Sequence, residues 1–181
     1  MSNPKVSVAD ILTKLSYDSN KEVSINALFS LGLVSAGTNN SRLATTLRQL
    51  SSYYSDDTNA LMVARISQGF LHMGKGLLTL NPIHSNNFLV SHVGLAGILI
   101  SIFSFTESSL ILGKYQYLIY SLCLSINPRM VMLVNDNLEP KNDIQIMVGT
   151  AVDTVGQSGN PRTITGFQVH NSPVLIAIGE R

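Results

Sequence analysis

The feature that most constrains the fold is an internal repeat of 37 residues in the first half of the chain. At this spacing Gly32 aligns with Gly69 and Gly37 aligns with Gly74. The residues before and after Gly32 and Gly69 match in the same register, as Ala27/Ala64, Ser30/Ser67, Ile25/Met62, Phe29/Ile66, Leu33/Phe70 and Val34/Leu71. A repeat of this length is typical of helix pairs that stack into a solenoid, because one pair cannot bury its apolar face alone.

Apolar periodicity and capping residues predict how the helical region is divided. The pattern at i, i+3, i+4 and i+7 marks the helices, and Ser, Asn or Asp residues precede several of them as N-caps. The predicted helices are residues 6–15, residues 21–36 stopped by Gly37, a helix carrying Leu43, Leu47 and Leu50 after Asn39–Ser41, a helix from Asp56–Asp57 to Met73, and a long apolar helix starting at Asn86. Residues 118–127 are interpreted as a third, degenerate copy of the repeat, with Cys123 in place of the inner glycine.

The two inner glycines predict close helix packing. Glycine inside a helix costs about 1 kcal/mol relative to alanine, so its presence is explained if a neighbouring helix approaches too closely for a Cβ atom. We therefore expect Gly32 and Gly69 to face neighbouring helices in equivalent places. On this hypothesis Gly69→Leu destabilises the fold by about 2 kcal/mol or more.

After Pro128 the pattern changes from helical periodicity to short apolar runs separated by turn residues. The runs are residues 130–134, 144–148, 163–169 and 173–178. The sequence thus predicts a mainly α fold, an α-solenoid of stacked antiparallel helix pairs over residues 1–128. A small β-rich C-terminal module is predicted over residues 129–181.

Composition excludes several classes of protein. Charged residues make up 13% of the chain, about half the usual share, and the surface is expected to be solvated by the 22 serines and 15 asparagines instead. A net charge of +1 argues against a dedicated nucleic-acid partner. The apolar stretches 88–105 and 109–126 are interpreted as helices buried within a larger protein rather than membrane spans, since His92 and Lys114 lie within them.

No set of residues suited to catalysis can be assembled. Residues 69–76 (GFLHMGKG) resemble a phosphate-binding loop, but Gly76 replaces the required hydroxyl and a helix precedes the motif. Cys123 is expected to be a buried, inert thiol. The remaining candidates lack partners at ligand spacing or fit turns and caps, namely His72, His84, His92, His170, Asp56 with Asp57, and Asp136 with Glu139. We predict no catalytic, cofactor-binding or metal-binding residue, no cofactor, and no enzymatic activity.

Several segments resemble a known family. Residues 22–50, EVSINALFSLGLVSAGTNNSRLATTLRQL, are similar to the proteasome/cyclosome repeat, whose signature is an Ala-Leu-Gly-Leu-like helix ending in a Gly-Thr-Asn turn. The stretches GFLHMGKGLLTL, ILGK, NPRM, VGTAVDTVGQSGNPRTITGF and PVLIAIGER extend the resemblance to the C-terminal part of the large non-ATPase scaffold subunits of the 26S proteasome regulatory particle. Of the two such subunits, the chain is more similar to the ubiquitin-receptor type.

The resemblance implies a non-catalytic scaffold fragment for ubiquitin-dependent protein degradation, located in the cytoplasm and nucleus. Its partners would be the ATPase ring and other regulatory-particle subunits, and the full-length protein would dock ubiquitin, ubiquitin-like shuttle factors and a deubiquitinase. In this family the best-described receptor sites lie upstream of the matching segment, so no receptor residue is assigned here. The alternative is a membrane-associated or small-molecule-binding helical protein, which only the apolar helices support.

Overall fold

The computed structural model describes residues 5–83, 89–155 and 162–175. The chain forms two compact units, Met1–Asn127 and Pro128–Arg181, and each is described by itself.

The first unit begins with two helix pairs, which confirms the predicted stacking of helical repeats. The helices are α1 (Val6–Leu15), α2 (Lys21–Ser35), α3 (Ser41–Tyr53) and α4 (Thr58–Leu71). Asn20, Asn40 and Asp57 cap α2, α3 and α4, because each side-chain oxygen accepts a hydrogen bond from a free amide in the first turn. Helices α2 and α4 begin at Lys21 and Thr58, 37 residues apart, so the sequence repeat is a structural repeat.

Helix α2 is the centre of the apolar core. It packs against α1, α4 and the segment around Phe105. Phe29 lies at this junction, with its ring stacked on Phe105 at a centroid distance of 3.8 Å and edge-on to Phe70 at 6.2 Å. Helices α1 and α3 cover the other side of the inner helices, where an exposed ion pair joins Asp10 to Arg42 at 2.9 Å.

The chain after α4 departs from the predicted helix pattern. A 3-10 turn, Met73–Gly76, leads into strand β1 (Leu78–Leu80), and α5 (His92–Ser104) begins later than the predicted start at Asn86, which lies outside the described residues. A 3-10 turn (Phe105–Glu107), α6 (Ser108–Gly113), a 3-10 segment (Gln116–Ser125) and β2 (Ile126–Pro128), which pairs with β1, complete this region. The predicted third copy at 118–127 is therefore a 3-10 segment followed by a strand rather than an α-helix.

Residues His92–Gly113 are the described stretch long and apolar enough to cross a membrane. Within this stretch, however, α5 has only 13 residues, or about 20 Å, and the 3-10 turn at Phe105–Glu107 separates it from the six-residue α6. A bilayer core is about 30 Å thick, so neither helix is long enough to span it. Contrary to the sequence prediction, α5 is not buried on all sides, because only its stripe of Gly94, Gly97, Ile98 and Ser101 is buried.

The second unit contains short strands and one long antiparallel hairpin. The strands are β3 (Met130–Val131), β4 (Leu133–Val134), β5 (Pro140–Lys141), β6 (Gln145–Val155), β7 (Arg162–Asn171) and β8 (Val174–Leu175). Strands β6 and β7 pair from Gln145 opposite Asn171 to Val155 opposite Arg162, with a bulge between Ala151 and Asp153. Strand β3 pairs with β8, and β4 with β5. The β-rich character predicted for this region agrees with these strands; residues 176–178 of the last apolar run lie outside the described residues.

Candidate protein-interaction surface

The residues considered for metal chemistry do not converge. Among the described residues no group of three or more His, Cys, Asp or Glu side chains could hold a metal ion. His72 donates from Nδ1 to the Asn39 side-chain oxygen at 2.9 Å and so joins two turns. His92 is the first residue of α5 and His170 lies in β7, whereas His84 lies outside the described residues.

The phosphate-loop resemblance at 69–76 coincides with the end of α4 and the 3-10 turn that follows it. Gly74, Lys75 and Gly76 have φ of 56°, 57° and 87°, so this turn is left-handed at three consecutive residues. A phosphate-binding loop instead connects a strand to the N-terminus of a helix. As predicted, a helix rather than a strand leads into the motif, because α4 runs to Leu71.

Cys123 and Asp57 are two further residues that were considered for chemistry. Cys123 is exposed, so the prediction of a buried thiol is wrong; the 3-10 segment buries Leu122 and Ser125 and leaves Cys123 outside. Asp57 is a helix cap as predicted, accepting hydrogen bonds from Asn59 and Ala60. The Asp57 carboxylate also lies 3.0 Å from the Lys21 ammonium. The hydrogen bond from Lys21 is the main cause that lowers the pKa of Asp57, followed by that from the Ala60 amide.

The two repeat copies meet through a glycine and a serine. A Cβ atom added to Gly32 would lie 2.8 Å from the Cα of Ser67, which shows how closely α4 crosses α2. The Ser67 hydroxyl donates to the Leu28 carbonyl at 2.8 Å, so the small side chain that permits the approach also satisfies its own buried hydroxyl. This contact confirms the prediction for Gly32.

The prediction for Gly69 is wrong. No described atom lies within 4 Å of a Cβ added there, and Gly69 is exposed on α4. Helix α4 packs against α2 and α3, whereas the later helices pack near α2 instead. Gly69→Leu is therefore not expected to destabilise the fold. The glycine is repeated in the sequence, but the close helix contact that it permits in the first copy is not repeated in the second.

The turns at the ends of α2 and α4 are also joined. Gly37 donates its amide to the Phe70 carbonyl at 2.8 Å, and Asn39 donates its amide to the Leu71 carbonyl at 3.2 Å. The first turn thus supplies donors to carbonyls at the end of the next inner helix, where intrahelical donors run out. The Gly-Thr-Asn turn that marks the repeat in sequence is therefore a connector between copies.

A second glycine–serine junction joins α5 to the 3-10 segment. A Cβ on Gly97 would lie 2.2 Å from the Ser121 carbonyl oxygen, and the Ser121 hydroxyl donates to the Gly97 carbonyl at 2.9 Å. Ser125 donates to the Gly94 carbonyl in the same way. These residues were not predicted from the sequence, where the serines were expected at the surface. The buried ones are Ser16, Ser24, Ser35, Ser51, Ser67, Ser101, Ser108, Ser125 and Ser172.

The surface of the first unit carries apolar side chains on two helices. Helix α5 exposes Val93, Leu95, Leu99, Ile100, Ile102 and Phe103, and it contains no Asp, Glu, Lys or Arg. Helix α1 exposes Val6, Val8, Ile11 and Leu15. Open grooves between α1 and α3 and beside α6 adjoin these surfaces. Exposed apolar patches of this kind are typical of protein-interaction surfaces.

Comparison with known proteins agrees with this description. Residues 26–60 match the proteasome/cyclosome repeat family, and residues 155–181 match the family described as 26S proteasome non-ATPase regulatory subunit RPN1 C-terminal. The chain is 54% identical over 182 aligned residues to 26S proteasome non-ATPase regulatory subunit 2 homolog B of Arabidopsis thaliana. It is 44% identical to the corresponding Dictyostelium discoideum subunit and 40% identical to the regulatory subunit rpn1 of Schizosaccharomyces pombe.

These alignments cover 99–100% of this chain but 20% of each relative, so the chain spans about a fifth of their length. The relatives are described as regulatory subunits, two of them explicitly as non-ATPase, which agrees with the prediction that the chain is not an enzyme. The identity extends along the whole chain, and the two family matches name the proteasome/cyclosome repeat and the RPN1 C-terminal region, so this chain is similar throughout to one segment of the RPN1-type non-ATPase regulatory subunits of the 26S proteasome.

Proposed function

We propose that this chain is a non-catalytic scaffold segment of the 26S proteasome regulatory particle. The observation that carries the proposal is the stacked repeat itself, in which Gly32, Ser67 and the turn at Gly37 join consecutive copies. Stacked repeats present extended surfaces and need no active site, which suits a role in holding other proteins. The similarity to RPN1-type subunits supports the proteasome as the assembly concerned.

In the finer form of the proposal, residues 1–128 are the helical part of a ring beside the ATPases, and residues 129–181 are a separate β-rich module. The full-length protein would dock ubiquitin, ubiquitin-like shuttle factors and a deubiquitinase in the cytoplasm and nucleus. The exposed apolar faces of α1 and α5 support this assignment, because each is a surface that other parts of an assembly can cover.

The test is a replacement in a full-length relative. The matching fifth of the Schizosaccharomyces pombe subunit, which is 40% identical, is exchanged for this chain in cells that lack the native gene. We expect the chimera to support growth and to co-purify with intact 26S particles. A chimera that accumulates as a folded protein but stays outside the particles would contradict the proposal.

A matched pair of variants distinguishes a defect in assembly into the particle from a general effect of placing leucine on a helix. Gly32→Leu in the chimera breaks the contact with Ser67, and we expect it to abolish co-purification with the particle. Gly113→Leu serves as the control, because no described atom lies within 4 Å of a Cβ added there. Equal incorporation of both variants would show that repeat stacking in this segment is not needed for assembly.

Direct ubiquitin binding by this segment is expected to be weak. Since the resemblance places the receptor repeats upstream, we expect a dissociation constant no tighter than about 1 mM, or roughly −4 kcal/mol. An NMR titration of the labelled 181-residue chain with ubiquitin measures this. Saturable shifts at micromolar ubiquitin would place a receptor site within this segment.

The alternative function, membrane association, is favoured by the uncharged face of α5 alone. We expect no binding to neutral or anionic vesicles, since α5 lacks the Lys/Arg-rich polar face that interfacial helices use. Flotation of the chain with such vesicles measures this, and Phe103→Ser tests the contribution of the most exposed ring on α5. Flotation that Phe103→Ser abolishes would favour the alternative.

A further inference from the structure

Three tyrosines gather where the outer helices α1 and α3 end. The ring of Tyr17 contacts that of Tyr53 edge-on at a centroid distance of 5.2 Å, and Tyr53 contacts Tyr54 edge-on at 4.8 Å. Tyr17 and Tyr53 are 45% and 62% exposed. We call this group of three side chains the tyrosine edge.

Tyr54 anchors the tyrosine edge to the fold. It is half-buried, and its hydroxyl donates to the carbonyl of the buried Ser16 at the end of α1. Burial is the main cause that raises the pKa of Tyr54, so the hydroxyl keeps its proton and the hydrogen bond in neutral solution. The two exposed rings are thus held in place by a third, and little conformational freedom remains to be lost when a partner binds.

The loops beside the tyrosine edge, residues 16–20 and 54–57, contain three aspartates and no Lys, Arg or His. Asp57 pairs with Lys21, which leaves the exposed side chains of Asp18 and Asp56. Among the described residues, these two carboxylates accept local hydrogen bonds from the Asn20 amide and the Ser55 hydroxyl. The flanking helices α1 and α3 carry Lys14 and Arg48, and Arg42 pairs with Asp10.

Exposed aromatic faces beside carboxylates are suited to a guanidinium group. Arginine stacks on aromatic rings and at the same time donates in a fork to a carboxylate, which lysine does less well. We propose that the tyrosine edge binds an arginine-bearing segment of a neighbouring protein, with the guanidinium against Tyr17 and Tyr53 and its charge facing Asp18 or Asp56. This inference goes beyond the scaffold role, because it assigns one surface and the chemistry of its partner.

The test is an NMR titration of the 181-residue chain with short peptides. The probe is a glycine-flanked diarginine peptide, and the matched control is the same peptide with citrulline, which keeps the shape of arginine but lacks its charge. We expect saturable shifts of the Tyr17 and Tyr53 ring signals with the arginine peptide, and at least fivefold weaker binding of the citrulline peptide. Equal binding of the two peptides would overturn the proposal.

Substitutions then separate aromatic recognition from general attraction by negative charge. Tyr17→Phe keeps the ring and is expected to bind as the unchanged chain does, whereas Tyr17→Leu with Tyr53→Leu is expected to weaken binding at least fivefold. Tyr120→Leu removes an exposed tyrosine from the 3-10 segment and is expected to have no effect. Binding that survives the double leucine variant, or that falls equally with Tyr120→Leu, would overturn the proposal. Incorporation of the chimera into the particle is a separate readout, so failure of one proposal is distinguishable from failure of the other.

Discussion

Helices α2 and α4 are copies of one sequence pattern in two different environments. Phe29 of α2 is 2% exposed and touches two aromatic rings, whereas its counterpart Ile66 of α4 is partly exposed. Gly32 of α2 receives Ser67, whereas its counterpart Gly69 faces open space. The difference arises because α2 has neighbours on both sides and α4 packs against α2 and α3.

The repeat places similar residues at equivalent positions of α2 and α4. Whether those positions are buried depends on which other helices pack against each one. At the position of Leu28, which is fully buried on α2, α4 carries the exposed Arg65. A charged residue at that place agrees with an open face, since burying an unpaired charge is costly. Substitutions at equivalent positions of the two helices therefore test the comparison directly.

The largest difference is expected at the aromatic junction. Phe29→Ala should lower the free energy of unfolding by about 4 kcal/mol, because it leaves a cavity among α2, α4 and the Phe105 turn. Ile66→Ala should cost about 1–2 kcal/mol, since part of its side chain already meets water. Urea unfolding of both variants measures this. Equal losses would mean that the two helices are buried alike.

The second-largest difference in the free energy of unfolding is expected between substitutions of the two inner glycines. Gly32→Leu should lower the free energy of unfolding by about 3 kcal/mol, because its Cβ would collide with the backbone of Ser67. Gly69→Leu should be neutral or raise it by up to about 1 kcal/mol, since leucine favours helix over glycine and nothing obstructs the side chain. Thermal unfolding of the two variants compares them. A loss for Gly69→Leu would show that a neighbour covers that face in solution.

A smaller difference in the free energy of unfolding is expected between substitutions of the two turn glycines. Gly37 and Gly74 both have positive φ, 68° and 56°, so alanine at either position is strained by about 1–2 kcal/mol. At Gly37 the added Cβ would also lie 1.9 Å from the Leu78 carbonyl oxygen, whereas at Gly74 it would meet the Leu78 side chain at 2.5 Å. A side chain can move more easily than backbone, so Gly37→Ala should cost about 1 kcal/mol more in urea unfolding. The reverse order would contradict the contact with β1.

The smallest expected difference in stability is between the N-caps of the two helices, and this difference depends on pH. Asn20 caps α2 and cannot titrate, whereas Asp57 at the equivalent position of α4 has a pKa below its usual 3.8 because of Lys21. A lowered folded-state pKa adds stability that is present above pH 3.8 and is lost as the pH falls through the folded value. The contribution should stay below about 1 kcal/mol, because Lys21 is largely exposed and solvent screens the pair.

Asp57→Asn keeps the cap and removes the charge, so it should reduce the loss of stability between pH 5 and about pH 2. Asp56→Asn, beside it and outside the ion pair, is the matched control. Urea midpoints measured across this range test the expectation. An unchanged pH profile for Asp57→Asn would show that the pair with Lys21 does not form in solution.

Local signals predicted the first four helices well. The caps Asn20, Asn40 and Asp57 and the stop at Gly37 are set by hydrogen bonds and φ angles within a few residues. The region 118–127 could not be predicted in this way. Its apolar composition suits a helix, but the close approach of Gly97 to the Ser121 carbonyl belongs to a 3-10 segment that only the pairing with α5 explains.

The candidate surface was predictable only in part. The apolar stripe on α1 follows from its spacing, whereas its exposure is seen in the fold, and the Gly-Thr-Asn turn is visible as a repeat. The tyrosine edge joins Tyr17 and Tyr53, which are 36 positions apart, and nothing in the local sequence indicates that their loops meet. The buried serines were also missed, because a hydroxyl is suited either to water or to a carbonyl of a neighbouring helix.

Residue types at fixed spacing were enough to establish the repeat, the helices that compose it and the likeness to RPN1-type subunits. Which glycine is covered, which serines are buried and which aromatic rings meet follows from the tertiary fold. Those outcomes depend on contacts between segments distant in the chain, and equivalent residues such as Gly32 and Gly69 have identical local signals until a neighbouring helix is present.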